Sequence, residues 1–453
     1  MSVDVSSLPA RLFQGVAPAM VATSSAAGIP NVTYVSQVHY LDPTRVALSC
    51  QFFNKTRRNI DENPYASVQL YDPLGFEAWE LDLAFDHSES SGPLFETMSM
   101  RIQAIASHTG MKGVFRLLSA DVFRVLAARK IDDFLASTST PLPPYAHPGP
   151  PMGELRALQM VSDRLSRARD LDDLLTTLLG ALEDAMGFHH SMLLVPDESG
   201  RRLVTLASRG YGDSGVGAEV AIGDGLVGVV AAERRILRLS RVDLDMRYGR
   251  AVRDVTVASD RAVTPEIPLP GLPDAQSHLG VPLLVQDRLL GVLAIESPAP
   301  LAFEDWHEAF LDVVANQAAL AIDRMMDDEA PDAGPTPPPS IAAPPSRKPR
   351  TFRFFKGDDS VFVDDEYLIR NVAARILWRL LSAHAESRRA EFTNRELRLD
   401  PWLGLPPVKD NLESRIILLR KRLEQKCPGV RIPSCGRGRF RLEVDCPIEL
   451  VEV

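Results

Sequence analysis

The clearest periodic signal in the chain lies over residues 277–297, where apolar side chains alternate along two successive runs. Leu279, Val281 and Leu283 fall on one face of the first run, Leu290, Val292 and Ala294 on one face of the second, and the polar Gln286-Asp287-Arg288 separates them. Alternation on either side of a polar break predicts a β-hairpin with one buried face. After Phe303 the period changes. Leu311, Val314, Ala318, Ile322 and Met325 recur at near-heptad spacing, which predicts an amphipathic helix. Phe310, Val313 and Ala321 add a neighbouring stripe, so the apolar arc is wider than one sheet contact requires and implies a helical partner. Upstream, Leu171, Leu174, Leu175, Leu178 and Leu182 predict a helix, residues 191–195 a strand, and GDGLVGVVAAERR from Gly223 a loop.

The N-terminal segment reads as mostly β, with strands over 31–38, 45–52 and 66–71 and a polar turn of helix over 55–62. At the other end, from Phe352, the pattern predicts a short strand pair and a helix over 369–384. A second helix opens at the capping box Thr393-Asn394-Arg395-Glu396, followed by a third over 409–426. A hairpin over 430–444 turns at Gly436-Arg437-Gly438, with Arg439 and Arg441 alternating after it. In the third helix Leu412, Ile416, Leu419 and Leu423 form the core face, and Ile417 and Leu418 fall outside it.

Two proline-dense stretches, STSTPLPPYAHPGPP from Ser137 and the run ending PTPPPSIAAPPSRKP, cannot continue a helix or a central strand. They divide the chain into residues 1–134, a linker 135–152, residues 153–326, a linker 327–350, and residues 351–453. Three domains also suit 453 residues at roughly 150 residues per domain. The net charge of −10 conceals an asymmetry. Residues 346–453 carry 22 Lys and Arg against 16 Asp and Glu, a net of +6, whereas the remainder carries 28 against 44, a net of −16. An acidic body with a basic end directs attention to the C-terminal segment for an anionic partner. No apolar run approaches the roughly 18–20 residues of a membrane span, and MSVDVSSLPARLFQGV lacks the basic-then-apolar order of a secretory signal. Cys50, Cys427, Cys435 and Cys446 form no CxxC pair and no zinc spacing. They read as thiols of a reducing compartment, with a Cys427–Cys435 bridge as the alternative. The expectation is a cytoplasmic protein without a membrane segment.

Residues 153–326, with the helix, strand and hairpin signals above, resemble a GAF domain, a ligand-binding sensory module. That segment contains no cysteine, so a bilin cannot be attached there through a thioether. The signature of cyclic-nucleotide-binding members is not recognisable. His189, His190, His278 and His307 are the only imidazoles there that offer an axial haem ligand. In the N-terminal segment, Gly28-x-Pro30, Lys55-Thr56-x-x-Asn59 and Asn63-Pro64 resemble the FMN-binding split barrel of the pyridoxamine 5′-phosphate oxidase-like family. The resemblance implies FMN as cofactor, with Lys55 and Thr56 on its phosphate, Ser49 and Gln51 at its ring, and Asn59 as a supporting cap. The competing reading is a solvated basic turn of Lys55, Arg57 and Arg58 with no ligand. Where true pyridoxamine phosphate oxidases carry an Arg-rich strand, this chain reads AWELDLAFDHSESSG, so turnover of a vitamin B6 phosphate is not expected.

The C-terminal order of three helices and a hairpin, with LLRKRL in the third helix and GRGRFRL in the hairpin, is similar to the winged helix-turn-helix output domain of response regulators. That resemblance implies a third helix in the major groove and a wing on the backbone. Asn411, Arg415 and Arg422 would then reach DNA, Arg415 at a base edge, and Lys409, Lys421, Arg437 and Arg439 would contact phosphates. The apolar Ile417 and Leu418 leave a protein-binding face as the alternative.

Together these readings predict a multidomain α+β chain: a split β-barrel, a GAF domain (antiparallel sheet with flanking helices) and a winged helix, assembled as a homodimer. The expected role is sensory, coupling flavin or small-molecule binding to DNA binding. A flavin-dependent oxidoreductase with regulatory appendages, or a scaffold with an empty barrel, remain the other readings. No catalytic triad, nucleotide-binding glycine loop or metal cluster is present in the sequence.

Overall fold

The computed structural model describes residues 4–15, 18–51, 55–72, 77–132, 153–197, 199–211, 216–240, 271–272, 275–327, 349–405, 412–436 and 438–453. The linker predicted at 135–152 lies outside these residues, as does nearly all of that at 327–350. The chain forms two compact units: residues 1–150 with 220–282 and 294–311, and residues 151–219 with 283–293 and 312–453.

The N-terminal segment runs β1 (Ala19–Ser24), β2 (Pro30–Val35), β3 (Val38–Asp42), β4 (Arg45–Cys50), α1 (Lys55–Glu62), β5 (Tyr65–Tyr71), β6 (Ala78–Glu89), α2 (Pro93–His108) and β7 (Ser119–Ile131). Its strands form a seven-stranded antiparallel sheet in the order β2-β1-β5-β6-β7-β4-β3. Ala19, Val21 and Thr23 of β1 point inward and Ala22 outward, the alternation of a sheet with one covered face. Val21, Val46, Val68, Leu81, Leu83 and Phe123 build the core beneath it. The single strand expected over 31–38 is interrupted at Ser36-Gln37. There the backbone leaves β2 to exchange hydrogen bonds with Ser49 of β4: the Ser49 N–H donates to the Gln37 carbonyl at 3.1 Å and the Gln37 N–H to Ser49 Oγ at 3.2 Å.

The central segment continues with α3 (Glu154–Ser166), α4 (Leu171–Met186), β8 (His190–Pro196), β9 (Arg202–Arg209), β10 (Glu219–Ala221), α5 (Gly225–Glu233), β11 (Leu237–Ser240), β12 (Ser277–Val285), β13 (Arg288–Ser297) and α6 (Asp305–Asp327). Its six strands follow the order β10-β9-β8-β13-β12-β11. Helix α4 begins where Asp170 accepts from the Asp173 N–H at 2.9 Å, and ends at Gly187 in the left-handed region, φ +72°.

Three expectations need correction in this segment. Residues 277–283 are buried without alternation, so both faces of β12 are covered rather than one, and the hairpin turns on Gln286 and Asp287 with Arg288 already in β13. The presumed loop from Gly223 is largely helix α5. Leu226, Val227, Val229, Val230 and Ala231 are all buried, and a helix covered on every side has no amphipathic period to betray it. In α6, Leu311, Val314, Ala318, Ile322 and Phe310 are buried within the chain, and the large apolar side chains exposed among its described residues are Val313 and Leu320, seven residues apart on one face.

The C-terminal segment comprises β14 (Arg350–Phe355), β15 (Ser360–Val363), β16 (Glu366–Arg370), α7 (Asn371–Ser387), β17 (Glu391–Thr393), α8 (Asn394–Leu399), α9 (Leu412–Lys426), β18 (Val430–Arg431), β19 (Ser434–Gly436), β20 (Arg439–Arg441), β21 (Glu443–Val444) and β22 (Ile448–Glu452). Three strands, not a pair, precede the first helix, and β22 joins them parallel to β14 in the order β16-β15-β14-β22. Thr393 caps α8 as its sequence predicts, accepting from the Glu396 N–H at 3.2 Å. Phe354 stacks on Trp378 and Phe392 on Phe440 in a core that also takes Leu412, Ile416, Leu419 and Leu423 from α9. Ile417, expected outside the core stripe, is fully buried. Cys427 and Cys435 are separate thiols, and burial pushes the Cys427 thiol up. Among the described residues no helix is long and apolar enough to cross a membrane.

Gly228 sets how closely α5 approaches β10, because a Cβ there would lie 2.2 Å from the Ala221 carbonyl oxygen. Gly228→Ala is expected to destabilise the protein by about 1–3 kcal/mol through overpacking. A lower thermal midpoint than wild type in calorimetry checks this, and an unchanged midpoint would refute the close approach.

Candidate functional site

Five of the sequence-selected residues belong to the corner where β4 gives way to α1. Ser49, Gln51 and Thr56 line one cavity of about 80 Å³, together with Ser36, Arg57 and Asp121. Ser36 Oγ and Ser49 Oγ are 3.1 Å apart, and the Gln51 side-chain amide donates to Ser36 Oγ. Thr56 Oγ1 accepts from the Asn31 side-chain amide at 2.9 Å, which ties the first turn of α1 to β2. Asn59 is buried and donates through Nδ2 to Thr23 Oγ1 at 3.1 Å, so its part is to fasten α1 to β1. Lys55 is exposed at the rim, its ammonium 3.3 Å from the Pro30 carbonyl.

The competing reading has Arg57 in a solvated basic turn, yet its side chain is only 26% exposed. It donates to Asp121 Oδ1 at 3.1 Å and to Ser88 Oγ at 2.7 Å, and it covers the Phe85 ring. No local signal could have found this, since Asp121 lies 64 residues further along the chain. Gln37 is buried beside this corner, and its side-chain carbonyl oxygen has no hydrogen-bond partner. With Ser36 and Gln51 it lines a small adjoining cavity. His87 on β6 is half-exposed between Asp86 and Glu89; Asp86 and then Glu89 raise its pKa by hydrogen bonding.

Within the same unit a larger cavity, of about 520 Å³, is lined by Gln37, His39, Arg101, Arg235, Arg238 and Glu308 among others. Arg238 bonds Asp305 and Glu308 at 2.5 and 2.7 Å, and burial pushes the Glu308 carboxyl up.

Each haem-ligand candidate lies beside another group of the protein, although His278 Nε2 makes no hydrogen bond. His189 Nδ1 lies 3.2 Å from Glu183, His190 meets the Tyr211 ring edge-on, His278 Nε2 lies 3.2 Å from Glu296, and His307 Nδ1 accepts from the Glu304 N–H at 3.0 Å. Among the described residues no group of three or more His, Cys, Asp or Glu side chains is placed to hold a metal ion.

The residues selected for DNA lie differently from their expected arrangement. Lys409, Asn411 and Arg437 are outside the described residues. Arg415 is 9% exposed rather than turned outward beside the core stripe. Arg422 donates to the Leu368 carbonyl at 3.0 Å, Lys421 lies 3.6 Å from Asp172, and Arg439 is half-buried on β20.

Comparison with known families agrees with this geometry in two segments. Residues 170–322 match the GAF domain. Residues 10–113 match the pyridoxamine 5′-phosphate oxidase family. The protein is thus a mixed α/β multidomain chain with a GAF domain and a pyridoxamine phosphate oxidase-like barrel. Among solved structures, the GAF domain of an Acinetobacter phosphoenolpyruvate-protein phosphotransferase is 23% identical, covering 40% of this chain and 100% of that one at a TM-score of 0.32. HupZ from Group A Streptococcus is 18% identical over 28% of this chain and 96% of that one, TM-score 0.23. An FMN-binding protein from Syntrophomonas wolfei is 14% identical over 25% and 76%, TM-score 0.21. No curated protein matches the chain.

Burial lowers the pKa of His39 below its ordinary value of 6.5, which favours the neutral ring in the folded state. The unfolded chain then binds more protons as the pH falls below about 6.5, so stability declines on the acid side of that value. His39→Gln is expected to flatten this slope in denaturant titrations between about pH 7 and pH 5. An identical slope in the variant would show that His39 does not carry the effect.

Proposed function

We propose that the chain is a cytoplasmic, homodimeric sensory protein in which FMN in the barrel and a small molecule in the GAF domain act on a C-terminal winged-helix region that binds DNA. The observation that supports the cofactor reading is the convergence of Ser36, Ser49, Gln51 and Thr56 on one cavity at the start of α1, within the segment that matches the oxidase family. Hydroxyl and amide groups suit both a phosphate and the polar rim of a flavin ring, and the unpartnered Gln37 oxygen beside them offers one further acceptor. Lys55 and Thr56 would hold the phosphate, Ser49 and Gln51 would orient the ring, and Asn59 would keep α1 in place through Thr23. When bound, FMN would supply reversible electron transfer.

Homodimer formation is supported by the size of this site. A cavity of about 80 Å³ is well below the roughly 300–1,000 Å³ of a whole cofactor site, so a second copy is expected to complete the wall. Val32 and Tyr34, 59% and 69% exposed on the edge strand β2, give the apolar face it would cover. DNA binding is supported by the basic balance of the C-terminal segment and by the order α7, α8, α9 and the β19–β20 hairpin. In this reading Arg437 and Arg439, with Lys409 and Lys421, meet phosphates, and Asn411, Arg415 and Arg422 reach DNA, Arg415 at a base edge.

An absorption spectrum of the purified protein, followed by titration with FMN, tests the cofactor reading. Bound flavin is expected, with Lys55→Ala weakening it by about 1.5–3 kcal/mol for one lost charge-assisted contact. No binding, or equal affinity in the variant, removes that reading, and a monomer in light scattering of the FMN-loaded protein removes the shared site.

DNA retention by the full chain is expected to fall steeply with salt as bound counterions are released. Arg439→Ala should lower the slope of log affinity against log salt by about one if it meets a phosphate. A gel-shift series with no retention at low salt would end the DNA reading.

A further inference from the structure

Helix α9 is covered on more than its core side. Leu412, Ile416, Leu419 and Leu423 face the C-terminal core, yet Ile417 is also fully buried and Arg415 nearly so. The cover comes from the GAF segment within the same compact unit, where α4 and β9 pack against α9. Gly217, next to β10 with φ +85°, lies against the helix: a Cβ there would be 3.5 Å from Arg422 Cδ and 3.7 Å from Leu418 Cδ1. Lys421 faces Asp172 at 3.6 Å. Arg370, at the start of α7, grips Glu219 with two prongs, Nε to Oε1 at 3.2 Å and Nη2 to Oε2, and Arg202 reaches the same carboxylate at 3.1 Å.

The chemistry of this contact is that of an exchange. Acidic groups of the GAF segment occupy basic groups of the C-terminal segment, and a polyanion would compete for the same cations. The pairs are partly exposed, where each ion pair contributes little by itself, and a cavity of about 100 Å³ lined by Leu206, Tyr367, Arg370, Arg415, Leu418 and Arg422 leaves the packing incomplete. Such a contact can hold a helix closed and still open reversibly.

We propose that the GAF segment locks α9 through the Lys421–Asp172 and Arg370–Glu219 pairs, and that an anionic partner reaches α9 only when this lock opens. That the partner is DNA rests on the reading in the preceding section; the lock itself does not.

The test uses the full chain with a thiol placed inside the contact by the near-isosteric Ser414→Cys, and separately by Leu418→Cys. Modification at that thiol is followed by peptide mass spectrometry, in the wild-type background and with Asp172→Lys and Glu219→Lys together. The lock predicts slow modification in the first and about tenfold faster modification in the second, equivalent to ~1.4 kcal/mol lost from the closed state. Adding Lys421→Glu, Arg370→Glu and Arg202→Glu to the charge-reversed background, so that each new lysine again faces acidic partners, is expected to return the slow rate, which separates opening from misfolding. Equal rates in the wild-type and charge-reversed backgrounds, or no recovery with the swapped partners, overturn the lock. DNA retention measured on the same proteins reports on the partner: a gain on opening supports DNA. Accelerated modification without any retention leaves the lock standing and removes DNA as its ligand.

Discussion

A carboxylate buried in a β-sheet is tolerable only when donors surround it, and Asp121 on β7 meets this condition with donors from three elements. Ser119 on its own strand, Ser88 near the end of β6 and Arg57 on α1 all donate to Asp121 Oδ1, at 2.8, 2.6 and 3.1 Å. Through Arg57 this carboxylate fixes α1 over the sheet. The rest of the corner follows from that placement: Asn31 can reach Thr56, Asn59 can reach Thr23, and Ser49 and Gln51 share a wall with Thr56. A short helix of polar residues has little apolar surface to hold it down, so its position depends on these polar contacts more than on burial.

The C-terminal segment applies the same physics with the opposite economy of charge. Its surplus of Arg and Lys is placed partly within the protein: Arg422 on a backbone carbonyl and over the Tyr367 ring, Lys421 toward Asp172, Arg370 on Glu219. A net positive balance counted from sequence therefore overstates the charge available to an outside anion. Long basic side chains also contribute packing, since their methylene stems cover apolar surface while the charged ends find partners.

How much could be read beforehand follows from the range of the interactions. Helix α1, the Thr393 cap of α8, the division between β12 and β13 and the core face of α9 are set by neighbours within a few residues, and each was legible. Helix α5 was not, because burial on all sides removes the period by which a helix is recognised. The break between β2 and β3 depends on Ser49, more than ten residues distant, and the role of Arg57 depends on a strand 64 residues away. Ile417 was misplaced for a related reason: a single helical stripe presumes a single covering surface, and α9 has more than one.

The pairing of β14 with β22 has a kinetic meaning. These strands run parallel, with Arg350 opposite Ile448, so the first strand of the C-terminal segment acquires one neighbour only after almost a hundred further residues have been made. Parallel pairing over such a separation closes a long loop before any contact rewards it, which slows folding. During synthesis, β14 and β15 emerge early with one edge uncovered, and Phe352 and Phe354 await the strand that completes their sheet. The gap between the emergence of β14 and the arrival of β22 is thus the interval in which this segment is most exposed to mispairing with another chain.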